Sequence, residues 1–195
     1  MIQPNFLEID WRVRRAIELT EARPEALSSR TYQPKLNASL QHFRTMTDDT
    51  DQTYNQWRVI RGEQMKAFRD LRIESDRTRA LCDEHALDEY PSKRIVYTDE
   101  KELLVFVEDA VVYLKANQAE WDWIAGAISR LEGGMSQAAA LKTKEKAAYR
   151  TYCQRAKERV AAYDHLFGLF RDYIRDARND VASEELYQEI RLKRG

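Results

Sequence analysis

The sequence predicts an all-α protein, an elongated antiparallel helical bundle with long coiled-coil-like helices. Three observations carry that expectation. Apolar residues recur from Leu103 to Leu131 in alternating steps of four and three, the spacing that keeps one helix face against a partner. The four prolines stand at 4, 24, 34 and 91, so long stretches lack the residue that breaks helix interiors. Charged residues make up 33% of the 195 and hydrophobic ones 43%, with a mean hydropathy of -0.71. That balance suits narrow buried seams under wide solvated faces. The expected division is an N-terminal helix and linker over 1-33 and a long helical bundle over 34-195, one domain overall.

The first helix is expected from Phe6 to Ala22. Asn5 can cap it, with Glu8 three residues on completing a capping box. Phe6, Ile9, Val13 and Ile17 share its apolar face. Arg12, Arg14 and Arg15 opposite Trp11 suggest a membrane-surface helix, but Glu8, Asp10, Glu18 and Glu21 weaken that reading. Docking onto the bundle, or exchange between subunits, fits better. Pro24 ends the helix, and Ser28 to Gln33 reads as loop.

A second helical region spans Pro34 to Glu89. Leu36, Leu40 and Phe43 open its stripe, and Tyr54, Trp57, Ile60, Phe68, Leu71 and Leu81 continue it. The threonine- and aspartate-rich run from Thr45 to Thr53 lies between them. Such side chains compete for backbone hydrogen bonds, so a kink or restart is expected, with Thr47 or Asp48 as cap. The third helix, capped by Thr98 or Asp99, is expected to reach Glu132 and to be the most buried. Its one polar stripe member, Asn117, needs a partner such as Tyr149 or Tyr152. Gly133-Gly134, the only glycine pair, reads as the turn into a last helix from Ser136 to Leu192.

The seam so defined comprises Leu103, Val107, Leu114, Trp121, Ile124 and Ile128 on one arm. Tyr163, Phe167, Phe170 and Ile174 supply the other. The last helix would overhang the third, leaving apolar face for the N-terminal helix or for a second subunit to cover.

The net charge of -1 removes any global attraction to nucleic acid or anionic lipid. Locally, residues 142-159 are basic, with Lys142, Lys146, Tyr149, Arg150 and Lys157 as the nucleic-acid candidates. An equally acidic stretch from Asp99 to Asp122 could neutralise them across a hairpin, with Glu108 level with Arg159. That pairing is preferred, so nucleic acid is possible but not favoured. Cys82 and His85 share a helix face, and His165 could join them as a metal site, but the four-ligand spacing of structural zinc is missing. Asp48-Asp49-Thr50-Asp51 lacks the glycine and glutamate of a calcium loop. No phosphate-binding, nucleophile-elbow or metalloprotease motif is present, so no catalytic residue and no cofactor is expected.

Two cysteines without paired spacing and no leader-like or membrane-spanning run point to a reducing, cytoplasmic setting. The functional expectation is a non-enzymatic structural or protein-protein interaction protein that self-associates. The alternatives are a nucleic-acid-binding accessory using 142-159 and a metal-binding helical bundle.

Overall fold

A computed structural model describes residues 5-22, 24-87, 90-91, 100-119 and 121-179. Of these, 92% are helical, in four helices and without a strand among the described residues. They are α1 (Phe6–Ala22), α2 (Leu27–Glu84), α3 (Glu100–Ala116) and α4 (Asp122–Asn179). Two compact units divide the chain, one of residues 1-54 with 151-195 and one of residues 55-150. Each has its own core.

In the first unit α1 begins as expected. Asn5 Oδ1 accepts the Glu8 N–H at 3.1 Å, and Asn5 Nδ2 donates to the Glu8 carboxylate at 3.2 Å. Two otherwise idle polar groups are thereby used at the helix start. Ile9, Val13, Ala16 and Ile17 meet Leu36, Leu40 and Phe43 of α2 and Ala162, Leu166, Phe170 and Tyr173 of α4. Rings mark the contacts: Tyr32 lies 6.0 Å from Tyr173, Phe43 6.2 Å from Tyr163, and Tyr54 5.3 Å from Tyr152. Phe6 closes the set, 5.7 Å from Phe43 and 5.3 Å from Tyr163.

Two expectations fail in this unit. Ser28 to Gln33 is helix, because α2 starts at Leu27 and carries Pro34 inside it. Proline removes one N–H and so one hydrogen bond. Burial of Ser28 and Ser29, and the Arg30 guanidinium donating to the Pro24 carbonyl at 3.0 Å, hold that first turn nonetheless. The Thr45–Thr53 run neither restarts the helix nor caps it, since α2 runs through it unbroken. Its hydroxyls bond back along the helix: Thr45 to the Gln41 carbonyl at 3.1 Å, Thr47 to Phe43 at 3.0 Å, Thr50 to Met46 at 2.6 Å.

In the second unit Leu103, Val107, Ala110 and Leu114 of α3 face Ile124, Ile128 and Leu131 of α4 and Phe68 and Leu71 of α2. The apolar members of the stripe are buried except Trp121, and the stripe belongs to two helices. Gly133-Gly134, expected as the turn, sits inside α4, and α3 closes in a turn at 117-119. Asn117 is the reason. Its Nδ2 donates to the Tyr113 carbonyl at 2.9 Å, and its own N–H reaches Leu114 at 3.2 Å, tightening the last turn of α3. Its side chain thus bonds within its own helix, where Tyr149 or Tyr152 had been expected as partner. Asp122 then supplies acid to the first turn of α4, where a negative charge is favoured.

Gly134 has a different use. A Cβ there would stand 3.0 Å from Leu71 Cδ1, so its bareness lets α4 approach α2. Lys115 pairs with Glu132 at 2.7 Å and Lys142 with Glu100 at 3.2 Å, joining α3 to α4. α2 ends at Glu84, short of the expected Glu89. Leu87 N–H reaches the Cys82 carbonyl at 2.9 Å and Ala86 N–H that of Asp83 at 3.3 Å. Those two bonds, with Ala86 at φ 53°, form a Schellman close. The proposed caps Thr98 and Asp99, and the last helix beyond Asn179, lie outside the described residues.

Candidate functional site

Within the second unit, α2 and α4 flank an open groove of about 540 Å³, reached also by the start of α3. Trp57, Arg61, Gln64 and Met65 come from α2, Glu100 from α3, and Lys142, Glu145, Lys146 and Tyr149 from α4. The spacings are helical: 57, 61, 64 and 65 share one side of α2, and 142, 145, 146 and 149 one side of α4.

The floor is internally bonded. Trp57 Nε1 donates to Glu145 Oε1 at 2.6 Å, and Gln64 Nε2 to Glu100 Oε1 at 2.8 Å. Lys142 Nζ stands 3.2 Å from the other Glu100 oxygen and 5.7 Å above the Phe68 ring. The Trp57 and Tyr149 rings lie 5.3 Å apart, and the Arg61 guanidinium is 5.3 Å from the Trp57 ring centre. Lys146 and Arg61 are exposed at the rim. Tyr149 is 46% exposed and Met65 61%. Fixed acceptors, two rings and rim cations thus line one groove. They supply no nucleophile beside a base.

Three of the five nucleic-acid candidates, Lys142, Lys146 and Tyr149, line this groove. Arg150 is exposed beyond it on the same helix, and Lys157 is exposed in the first unit. Arg159 pairs with Asp51 of α2 at 3.6 Å and lies 4.6 Å over the Phe6 ring, where Glu108 had been expected opposite it. Trp57, Arg61, Gln64 and Met65 were not singled out by sequence for binding. Their signal was the basic spacing of α2 from Arg58 to Arg72.

Of the metal candidates, Cys82 and His85 belong to the second unit and His165 to the first. Cys82 is wholly buried, and that burial, with Asp83 beside it, pushes its thiol up to about 11. Such a thiol is a poor ligand and a poor nucleophile at neutral pH. His85 lies tilted against Trp121 at 4.3 Å and stacks on Trp123 at 5.6 Å. His165 is exposed in the first unit. Among the described residues no group of three or more His, Cys, Asp or Glu side chains could hold a metal ion.

Of the seam, Leu103, Val107, Leu114, Ile124, Ile128 and Phe170 are buried, and Tyr163 and Ile174 pack against the first unit's core. Trp121 and Phe167 are 39% and 45% exposed. No described helix is long and apolar enough to cross a membrane. Compared with known proteins, the chain matches no family model, no curated protein and no solved structure.

Proposed function

We propose that the chain is a non-enzymatic interaction protein, a cytoplasmic helical scaffold that self-associates. Its helices are read as an antiparallel bundle of coiled-coil character, a reading supported by ring pairs that run in opposite order along α2 and α4. One observation carries the functional part. In the first unit, large apolar side chains stay in water after the core is complete. Leu7 is 86% and Trp11 48% exposed, one turn apart on the side of α1 away from Ile9 and Val13. On α4, Val160 and Phe167 are 40% and 45% exposed, seven residues apart on one face. Apolar residues repeated along a helix's outer face cost solubility and are covered when a partner docks.

The expectation that α4 offers surplus seam to a partner is narrowed by this arrangement. α1 and α2 cover much of that surplus through Phe6, Ile9 and Phe43. The exposed apolar edge is what a second copy would bury. Sedimentation equilibrium at micromolar protein tests the reading. Association is expected, and Phe167→Glu combined with Trp11→Glu should abolish it while the helical circular dichroism is kept. A strictly monomeric parent overturns it.

A further inference from the structure

We propose that the groove between α2 and α4 in the second unit binds single-stranded nucleic acid, with one base on Tyr149 and Trp57 and the flanking phosphates on the rim cations. Several observations converge on it. Two rings from different helices stand 5.3 Å apart, and Tyr149 leaves nearly half its surface open. A base needs such a flat, accessible π-face, and every base offers one in return. The groove volume of about 540 Å³ accommodates a ligand of nucleotide size.

Charge selects the ligand's sign. Helix α2 from 55 to 72 carries five basic and two acidic residues, and α4 from 142 to 150 four basic and one acidic. The two stretches that flank the groove are therefore cationic within a chain whose net charge is -1. The acids that do line it are engaged on the floor. Glu145 accepts from Trp57, and Glu100 holds Gln64 and Lys142. Arg61 and Lys146 stand above them on opposite walls. Such a groove tracks a backbone while its floor fixes the rings.

A single strand is preferred to a duplex because stacking on Tyr149 requires an unpaired base. A strand is preferred to a free nucleotide because the cations continue along α2 beyond the groove, to the exposed Arg69. The continuity lets several phosphates contribute at once.

The test is fluorescence anisotropy of the full chain with a labelled single-stranded oligonucleotide of mixed sequence, titrated with salt. Binding at low salt is expected, with log affinity falling linearly against log salt. Arg61→Gln and Lys146→Gln should each flatten that slope by about 0.7, one phosphate contact apiece. Tyr149→Leu should weaken binding about tenfold while leaving the slope alone, since it removes stacking and no charge. Lys146 and Tyr149 are exposed, so those variants retain the core, which circular dichroism checks. No binding at low salt overturns the proposal. So does heparin competing equally well with a Tyr149→Leu variant that has lost nothing, the mark of a general polyanion surface. A mononucleotide that binds as tightly as the oligomer assigns the groove to free nucleotides and overturns the strand. Self-association is read separately by sedimentation, so either result stands without the other.

Discussion

A glycine inside a helix is costly by about 0.8–1 kcal/mol against alanine, because its backbone loses more freedom on folding. Gly133 and Gly134 are neighbours in α4 and differ in one respect. A Cβ at Gly133 meets nothing within 4 Å, whereas one at Gly134 meets Leu71 Cδ1 at 3.0 Å. Leu71 is only 2% exposed and has little room to yield. Gly133→Ala should therefore stabilise by about 0.5–1 kcal/mol, the full helical gain. Gly134→Ala should gain less or lose, since repacking Leu71 consumes the benefit. Thermal denaturation of the two variants side by side decides it; equal gains would mean that the α2–α4 approach does not depend on the bare Gly134. Ala86 presents the converse case. It sits at φ 53°, where an L-residue pays about 1 kcal/mol or more that glycine does not. It is exposed, so Ala86→Gly removes little packing. A rise in stability of up to about 1 kcal/mol is expected, and a fall would mean that the close of α2 is not strained.

Whole helices reveal what local signals can and cannot say. The joint between α1 and α2 includes Arg44 Nε, 2.6 Å from Asp10 Oδ1. Burial alone would raise the Asp10 carboxyl, but hydrogen bonding and charge from Arg44 and Arg14 outweigh it and hold it below the ordinary 3.8. A depressed carboxyl stabilises the fold above its unfolded value and loses that contribution as pH falls through its folded value. The stability gap between the parent and Asp10→Asn should thus be present at neutral pH, begin to shrink near about pH 4 and be lost as pH falls through the lower folded value. Arg44 is 47% exposed, so the gap should be no more than about 1 kcal/mol. Urea denaturation at several pH values would measure it, and a gap that widens in acid would contradict the pairing. α1 itself was legible in the sequence, bounds and cap included, because Asn5, Glu8 and the apolar spacing act within a few residues. The threonine run was misread because a Thr hydroxyl can bond inside a helix as readily as cap one, and burial of Thr50 decides which. Gly133-Gly134 was misread for a similar reason: glycine serves a turn and a close approach equally. The break at Asn117 was hidden because α3 and the start of α4 bury the same apolar types, so the stripe continues in spacing across it. Half of the groove was visible as the basic run on α4. The other half was not, since Trp57 and Tyr149 meet only through the packing of α2 against α4.

At the scale of the whole molecule the main consequence is that two cores are built from a shared pair of helices. Leu166 is fully buried in the core with α1, and Leu131 is fully buried in the core with α3. Truncating either to alanine removes packing and leaves a cavity, at about 2–5 kcal/mol. The lesions should differ in where they act. Hydrogen exchange follows local opening, and separately packed groups of residues open as separate units. Leu166→Ala should speed exchange mainly in α1 and in residues 151-179, and Leu131→Ala mainly in α3 and residues 122-150. Mass-spectrometric exchange on the two variants can map this with overlapping peptides. If either substitution accelerated exchange equally in both sets of residues, the two cores would open as one, and the division of the chain at 54-55 and 150-151 would carry no energetic meaning. If the division holds, the exposed apolar edge and the cationic groove lie in units that open separately. A core substitution in one unit should then impair the binding proposed for that unit and spare the one proposed for the other.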